Sequence, residues 1–342
     1  MDLLLSVIIP VYNIAPWLDR CVGSVLSAVP EESELLLVTG ASEDETNVKC
    51  ARWQQSDARI RMLSQNSKGL ANARNCGAAH SRGKYLLYID GDDFVDTEQL
   101  RWLLEKLPEL DQSIQVIMTD YRMTDMSGKV LEEIDQIGPA VEFSCRQELL
   151  SKVLQRKKCF WNVWRYIYRR DFLTANGITF LENTLSEDMD YTAKVYAAQP
   201  RFAFSHCPYY RYCVGRGSSL MDRPTLKRLG DTVTNIQNGI AQMEKSPGPC
   251  TAAFVTQYQF EYLLNIALCA EVPKEDRAEA CRLYRRTQDV LRMGRDPVIR
   301  LFRHVIRLCP VSVLARAAHG VKMLRRAVRG NHRPNTSEKE GG

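Results

Sequence analysis

The segment Tyr85-Leu86-Leu87-Tyr88-Ile89-Asp90-Gly91-Asp92-Asp93 decides the fold of this 342-residue chain. Its apolar first half predicts a buried strand, which stops abruptly at an acidic cluster. In an open parallel sheet, ligands bind beyond the carboxyl ends of the strands, so we expect these carboxylates to face a crevice. Acidic residues after a strand can alternatively form a simple turn or cap the following helix.

The spacing of Asp90 and Asp92 indicates a cation site. A tight turn through Gly91 brings the two carboxylates close together, and such a pair of like charges favours a bound cation. Oxygen-only ligands suit a hard divalent ion, Mg or Mn, which can bridge to diphosphate oxygens. The residues therefore predict a metal-diphosphate site at this turn.

The first third of the chain alternates strands and helices around this segment. This order builds a mostly parallel sheet with helices on both faces, which places the chain in the α/β class. Thr97 is expected to cap one of the helices. The predicted strands are 3–9, 35–38, 60–63, 85–89 and 114–118, and the predicted helices are 17–26, 44–53, 70–80 and 97–107.

Beyond Tyr121 the pattern changes to mixed helices and strands, and from Asp222 onward it is helical. The tail 331–342 has nothing apolar to bury, so we expect it to be disordered. The other predicted elements are a hairpin at 127–128, helices at 147–154 and 186–198, and a strand at 201–205.

Composition indicates a globular protein with a basic C-terminal surface. Hydrophobic residues make up 45% of the chain and charged residues 25%. The net charge of +5 is unevenly placed, because residues 290–333 contain eleven Arg or Lys and a single acid, Asp296. The eleven cysteines are scattered and never spaced as Cys-x-x-Cys, which favours reduced cytosolic thiols over disulfides or zinc.

The hydropathy pattern predicts no membrane-spanning segment. The apolar start at 3–9 is too short for a spanning helix and lacks a basic flank. No later window supplies about eighteen uninterrupted apolar residues. We therefore expect a cytoplasmic protein.

Three ordered segments resemble family 2 of the glycosyltransferases, which share the GT-A fold. They are Ser6-Val7-Ile8-Ile9-Pro10-Val11-Tyr12-Asn13, Gly69-Leu70-Ala71-Asn72-Ala73-Arg74-Asn75-Cys76-Gly77 and Gly83-Lys84-Tyr85-Leu86-Leu87-Tyr88-Ile89-Asp90-Gly91-Asp92-Asp93. Leu185-Ser186-Glu187-Asp188 and Tyr210-Arg211 with Gly217-Ser218-Ser219 extend the likeness to about residue 220. The helical C-terminus is not covered.

The resemblance implies a domain organisation and a cofactor. A GT-A domain would occupy 1–220, with a nucleotide-sugar-binding half at 1–120 and an acceptor half at 121–220. A helical region at 221–330 would follow it. The donor would be a nucleotide sugar, with a UDP-sugar favoured, and the cofactor would be Mn or Mg.

The same resemblance assigns residues to the donor site. The loop of Pro10, Tyr12 and Asn13 is expected to border the nucleobase, and Arg74 to contact the base or phosphate side. Alternatively, Asn13 is only a turn former and Arg74 a solvent-facing charge. At the acidic turn, Asp90 with Gly91 is expected near the ribose, and Asp92 is expected to ligate the metal.

Asp188 is the catalytic base that the resemblance implies. Its carboxylate would accept the proton of an acceptor hydroxyl as that oxygen attacks the anomeric carbon, giving direct displacement with inversion. The alternative is structural. Glu187 and Asp188 after Ser186 also make a good helix start, because acids there complement the helix dipole.

Arg211 and Ser218 are expected at the leaving diphosphate, by analogy with the family. A cation there would offset the charge that grows as the glycosidic bond breaks. Arg216 and Ser219 are further candidates, although this stretch can equally be a flexible basic loop.

On the acceptor side, Trp161 and Asn162 are candidates for contacting the sugar, since the family places its acceptor helix nearby. Aromatic residues at the spacing of Trp161, Trp164 and Tyr168 more often belong to a core.

The sequence departs from the family after the second strand. Family members commonly carry two aspartates there, followed by Gly-Ser, and one of them contacts the nucleobase. Here Thr39 and Gly40 take their places, so the identity of the base is open. Thr39 is an alternative hydrogen-bonding partner for the base.

The C-terminal helices mix apolar and basic residues. Basic residues fall on one side of the first of them and apolar residues on the other, which is typical of a helix on an anionic membrane surface. The apolar residues are Val298, Leu301, Phe302, Val305 and Ile306. A basic helix packed on its own domain is the alternative. Nucleic acid is less favoured, because no groove-reading motif accompanies the charge.

The predicted function is metal-dependent, inverting transfer of a hexosyl group from a nucleotide sugar to a glycan or lipid-linked glycan. Surface polysaccharide synthesis at the inner face of a membrane would be its setting. One alternative is a catalytically inactive nucleotide-binding or scaffold protein of the same fold. Another is a nucleotidyltransferase, which would normally show a basic Gly-rich loop, and 10–16 contains none.

Overall fold

The computed structural model describes residues 3–65, 67–155, 161–215, 224–292 and 296–330. The chain forms two compact units. The first comprises Met1–Ser218 with Ala241–Phe254, and the second comprises Ser219–Ile240 with Val255–Gly342. The division of the first unit into donor and acceptor halves stays a prediction.

One mixed sheet runs through the first unit. Within the described ranges its nine strands are β1 Leu5–Val11, β2 Ser33–Thr39, β3 Ile60–Ser64, β4 Tyr85–Tyr88, β5 Phe94–Val95, β6 Ile114–Thr124, β7 Val130–Ile134, β8 Tyr166–Arg169 and β9 Arg201–Cys213. They follow the order β3-β2-β1-β4-β8-β6-β9-β5, and β7 pairs with β6.

The described residues form thirteen α-helices, which lie between the strands and, after the last strand, follow one another along the chain. They are α1 Ala15–Leu26, α2 Thr46–Ser56, α3 Leu70–His80, α4 Thr97–Glu105, α5 Glu148–Gln155, α6 Arg170–Ala175, α7 Glu187–Ala197, α8 Leu226–Glu244, α9 Pro249–Asn265, α10 Leu268–Glu271, α11 Arg277–Arg286, α12 Pro297–Leu308 and α13 Val311–Gly330.

The predicted α/β class and alternating order are confirmed. Strands β3, β2, β1 and β4 are parallel, so Val7 of β1 lies between Leu35 of β2 and Leu87 of β4. Strand β8 joins antiparallel to β4 and β6, while β6 and β9 are parallel to each other. The parallel strands read as nearly continuous apolar runs because both of their faces are covered.

Opposite faces of the sheet carry α1 and α3. Val7 and Ile9 belong to one buried cluster with Leu18 of α1, whereas Ile8 points the other way. A Cβ added to Gly77 of α3 would lie 2.4 Å from Ile8 Cγ2, so the backbone of α3 lies almost directly against the side chains of the sheet. The small residues of α3 therefore bring the helix that carries Arg74 close to the strands.

Two expectations about element ends are wrong. Asp96, rather than Thr97, caps α4, because its side chain accepts a hydrogen bond from Gln99 N while the Thr97 hydroxyl donates to Ser24 O. Strands β6 and β9 both extend well past the predicted 114–118 and 201–205. Their extensions contain buried polar residues such as Asp120, which broke the apolar pattern.

Within its described residues the second unit contains helices joined by short turns and no strand, as predicted. Tyr262 of α9 stacks on Tyr284 of α11 with ring centroids 4.4 Å apart, and each hydroxyl donates to the other residue's carbonyl oxygen. This pair fixes α9 against α11. No helix of the part of the chain that is described has the length and apolar character needed to cross a bilayer. The tail predicted to be disordered lies outside the described residues.

Candidate functional site

The acidic segment after β4 is a tight turn whose shape depends on Gly91. The Asp93 backbone N–H donates to Asp90 O at 3.0 Å, which closes the turn. A Cβ on Gly91 would lie 2.3 Å from Ile14 Cδ1 and 2.9 Å from Pro10 O. Only glycine fits this close approach, and the approach places the acidic turn against the loop that follows β1.

Asp93 anchors the turn to β9, a role that was not predicted. Its Oδ2 accepts the Tyr210 hydroxyl at 2.6 Å, and its Oδ1 accepts the Cys213 backbone N–H at 2.7 Å. Burial, with the nearby carboxylates of Asp92 and Asp90, raises the pKa of Asp93 well above its usual range. Asp93 is fully buried, whereas Asp92 is only partly buried and keeps some exposure to solvent.

Arg74 lies at the centre of the site. Its side chain is 1% exposed, so the alternative of a solvent-facing charge is wrong. One terminal nitrogen donates to Asp90 Oδ1 at 2.6 Å. The other donates to Glu187 Oε1 at 2.7 Å and to Asp188 Oδ1 at 2.5 Å. A single guanidinium therefore connects the acidic turn to the acidic pair at the start of α7.

Asp188 has the properties of a base near neutral pH. Its second oxygen, Oδ2, accepts the Val163 backbone N–H at 3.4 Å. Burial, aided by the charges of Glu187 and Asp90 and opposed by Arg74, raises the pKa of Asp188 to about 7. A general base is most effective when its pKa is close to the working pH.

The segment around Trp161 and Asn162 borders Asp188. The hydrogen bond from Val163 holds one end of this segment, and the Thr192 hydroxyl donates to Trp161 O at 2.8 Å. Both Trp161 and Asn162 are partly exposed. The next aromatic residue, Trp164, is core as expected, because it is buried and stacks on Tyr210 with centroids 4.0 Å apart.

Tyr12 and Asn13 lie at the carboxyl end of β1, as predicted for the nucleobase loop. Tyr12 is half exposed. Asn13 has a left-handed φ of 51°, and its side-chain oxygen accepts the Glu43 N–H at 2.8 Å. Asn13 therefore acts as a turn former that ties this loop to the loop after β2, and this contact leaves its proposed donor role open.

The side-chain amide of Gln65, which was not predicted as a site residue, borders the position where family members commonly carry two aspartates. Thr39 is buried, and its hydroxyl donates to Leu63 O at 3.2 Å. A Cβ on Gly40 would lie 3.1 Å from Gln65 Nε2 and 3.5 Å from the ring of Tyr12. Gln65 Oε1 is buried and accepts no hydrogen bond among the described residues. No sequence pattern singles out Gln65 as a site residue, because its contact with Gly40 forms only in the folded chain.

Of the two residues predicted at the leaving diphosphate, Arg211 is not brought to this cluster. Arg211 donates to Asp96, the cap of α4, and is the neighbour of Tyr210 on β9, so the two side chains point to opposite faces. Ser218, with Arg216 and Ser219, lies outside the described residues. Their roles stay predictions.

A second cluster of possible metal ligands, which was not predicted, is formed by residues of β6 and β9 and by the residue that follows β7. Asp120, Asp135 and His206 each offer an atom within 4.8 Å of the others, so these residues could hold a metal ion. Asp120, however, already accepts backbone N–H groups from residues 136–138, and Arg122 donates to Asp135 Oδ1 at 2.7 Å. Hydrogen-bond donors of the protein therefore already occupy oxygens of both carboxylates.

Comparison with known sequences identifies the family. A profile described as Glycosyl transferase family 2 matches residues 6–173. The uncharacterized glycosyltransferase EpsJ of Bacillus subtilis is 27% identical over 199 residues, which cover 58% of this chain and 57% of EpsJ. The match thus spans less than two thirds of that relative.

Solved structures show the same fold. The crystal structure of residues 1–349 of Staphylococcus aureus TarS with UDP-GlcNAc is 18% identical, with a TM-score of 0.71 over 94% of this chain and 92% of that one. The Pyrobaculum calidifontis mannosyltransferase PcManGT with GDP-Man and Mn2+ is 16% identical, with a TM-score of 0.56 over 94% and 86%. The chain carries a family 2 glycosyltransferase domain with the GT-A fold.

Proposed function

We propose that the chain transfers a hexosyl group from a nucleotide sugar to a hydroxyl of a glycan or lipid-linked glycan, with inversion, in surface polysaccharide synthesis. The contact that carries this proposal is the bridge of Arg74 between Asp90 and Asp188. It supports the proposal because it brings Asp188, whose pKa is raised to about 7, close to the turn that is expected to bind the donor. The nucleotide sugars bound to TarS and PcManGT support the donor class.

Asp188 would act on the acceptor. Its ionised carboxylate takes the proton of the acceptor hydroxyl while that oxygen forms a bond to the anomeric carbon. The bond from that carbon to the nucleoside diphosphate breaks in the same step, on the opposite side of the sugar, so the configuration inverts. Trp161 and Asn162 border Asp188 and are partly exposed, so we place the acceptor beside them.

Asp92 would hold the divalent ion. The turn offers carboxylate oxygens, the ligand type that Mg and Mn prefer. Asp90 and Asp92 are its partly exposed members, while Asp93 is fully buried. A bound Mg or Mn ion would offset negative charge on the diphosphate. PcManGT was solved with Mn2+, which supports this ion as a candidate.

Arg74 would position the carboxylates rather than contact the donor. Its terminal nitrogens are occupied by three acidic side chains. Its Nε is buried and has no hydrogen-bond partner among the residues described. Because the guanidinium is rigid and planar, it fixes the distance between Asp90 and Asp188.

A donor assay tests the transferase proposal. The protein is incubated with UDP-, GDP- and dTDP-sugars, Mn and lipid-linked acceptors, and release of nucleoside diphosphate is measured. We expect release with one donor class, reduced on the order of 10²-fold in Asp92→Ala because an electrostatic stabiliser is lost. Asp276→Ala, on the second unit, serves as a control and should release nucleotide at the wild-type rate.

The same assay separates the alternatives. Nucleotide binding without turnover, under every donor and acceptor tried, would favour a scaffold protein. Release of inorganic diphosphate rather than nucleoside diphosphate would favour a nucleotidyltransferase. Equal activity of Asp92→Ala and wild type would remove the metal role from Asp92.

Gln65 is the residue that we propose reads the nucleobase. Its Nε2 borders Gly40, and its buried Oε1 has no hydrogen-bond partner among the described residues, so Oε1 can accept an N–H that the missing acids would otherwise accept. We expect Gln65→Ala to weaken nucleoside diphosphate binding about tenfold and to leave inorganic diphosphate binding unchanged. Calorimetric titration of both ligands measures this.

Gln55→Ala is the matched control for Gln65, because Gln55 is an exposed glutamine on α2. It should bind both ligands like the wild type. If Gln65→Ala weakens both ligands equally, the side chain supports the fold of the loop and does not contact the base.

We also propose that the enzyme works at the cytoplasmic face of a membrane. A lipid-linked glycan acceptor is confined to a bilayer surface, so attachment there would raise the rate of encounter. The free energy needed for reversible attachment is small, since each Lys or Arg near an anionic surface contributes about 1 kcal/mol.

A further inference from the structure

The second unit concentrates exposed apolar side chains on its last two helices. Of the fourteen large apolar side chains that are exposed in the described residues, eight lie on α12 and α13. Single exposed apolar residues are ordinary, but a concentration of them marks an interaction surface. They are Val298, Leu301, Phe302, Leu308, Val313, Val321, Met323 and Leu324.

On α12 the apolar residues face two directions. Ile299 and Ile306 are fully buried and lie about two turns apart, so they form the side that packs on the unit. Leu301 and Leu308 have the same spacing on another side and are 62% and 84% exposed. Core packing accounts for the first pair and leaves the second pair without a function in the fold.

Helix α13 repeats this arrangement. Its buried side carries Val311 and Ala315. Val321 and Leu324 lie three residues apart on the side away from them and are 51% and 67% exposed. Two consecutive helices therefore each present leucine or valine to solvent on the side opposite their packed face.

The charge around these leucines is positive. Arg300, Arg307 and Arg316 are exposed on the same helices. The single acid of residues 290–333, Asp296, is used as the cap of α12, where its carboxylate accepts the Val298 N–H at 2.8 Å. Acidic side chains between the arginines are thus absent from this stretch of sequence.

We propose that the exposed side of α12 and α13 docks on an anionic lipid surface, with Leu301, Leu308 and Leu324 inserted among the acyl chains. Arginine side chains beside an apolar stripe contact lipid phosphates while their stems lie along apolar surface. A second copy of the chain is a poorer occupant, because pairing two such faces would bring like charges together. This inference rests on the proposed work at a membrane face, and none of its residues belongs to the carboxylate cluster.

Vesicle sedimentation with the full chain tests the docking surface. Vesicles of phosphatidylcholine with phosphatidylglycerol are compared with pure phosphatidylcholine vesicles, at low and high salt. We expect binding only to the anionic vesicles, weakened by salt. Leu301→Ser with Leu308→Ser should reduce the partition coefficient by at least about tenfold, because buried leucine surface is lost. Arg300→Gln with Arg307→Gln should reduce it about fivefold per charge.

Leu264→Ser is the matched control, since Leu264 is a 66% exposed leucine on a different helix, α9. It should bind vesicles like the wild type. Circular dichroism checks that all variants fold. The proposal is overturned if wild type stays in the supernatant with anionic vesicles, or if the double leucine variant binds as tightly as Leu264→Ser. It is also overturned if those leucines instead support a dimer in lipid-free ultracentrifugation. The donor assay is unaffected by any of these outcomes.

Discussion

Asp188→Asn is expected to lower kcat for sugar transfer by about 10²–10⁴-fold, the usual contribution of a general base. The amide has nearly the size of the carboxylate and keeps an oxygen for Arg74, but it cannot take a proton from the acceptor. Donor affinity should change little, because in the proposed mechanism Asp188 contacts the acceptor and not the donor. Steady-state nucleotide release and calorimetric titration of the donor measure the two effects.

Asp190→Asn is the matched control for this variant. Asp190 is a buried aspartate on the same helix, and its carboxylate pairs with Lys194 at 2.7 Å, outside the cluster. Its variant should retain most of the wild-type kcat. If Asp188→Asn keeps more than about a tenth of the activity, Asp188 is not the base.

The pH dependence of kcat/KM follows from the same residue. Burial, with Glu187 and Asp90, raises the pKa of Asp188 to about 7, so the carboxyl is protonated and inactive below that pH. We expect kcat/KM to rise with pH through about 7 and then to level off. The residual activity of Asp188→Asn should lack this step. A wild-type profile that is flat between acidic and neutral pH would exclude this titration.

Arg74→Met is expected to destabilise the protein by about 3–5 kcal/mol, the usual cost of leaving buried charges without their partner. Three carboxylates would then face one another without a cation. Protonation relieves such repulsion, so the loss should shrink as the pH falls. Urea unfolding at neutral and acidic pH measures both values. A loss that does not depend on pH would show that Arg74 contributes packing alone.

Two further variants separate charge from geometry at Arg74. Arg74→Lys restores the charge, but one ammonium cannot reproduce the planar fork, so it should regain stability more than activity. Arg282→Met removes an arginine from an exposed pair with Glu279, and it should cost less than about 1 kcal/mol. Together they distinguish a positioning role from a general loss of positive charge.

The sequence alone predicts the parallel half of the sheet well. Continuous apolar runs such as Leu35 to Val38 are typical of strands covered on both faces, and α3 begins and ends where its spacing predicts. The acidic turn and Asp188 could be named because their motifs resemble a family. In each case the signal lies within a few consecutive residues.

The contacts of Arg74 could not be predicted, because its partners are far away in the chain. Asp90 is 16 positions distant, and Glu187 and Asp188 are 113 and 114 positions distant. A single arginine on a helix of small residues looks like a surface charge until the fold encloses it. The same limit applies to Gln65, because only the fold brings its side-chain amide next to Gly40.

Buried charges inside strands also escaped prediction. Glu34 on β2 is 1% exposed, and its carboxylate accepts hydrogen bonds from Ser6, Arg61 and Arg82. Asp120 on β6 is satisfied in the same way by backbone N–H groups. A hydropathy pattern reads such residues as exposed, because it contains no information about the donors that satisfy them.

The configuration of the sugar at the moment of release tests the central claim, direct displacement by an acceptor that Asp188 deprotonates. With water as the acceptor and an α-linked donor, the anomeric proton is followed by NMR before the free sugar equilibrates. We predict that the β anomer forms first, and that Asp188→Asn slows its formation. Initial formation of the α anomer would mean retention, and it would contradict direct displacement.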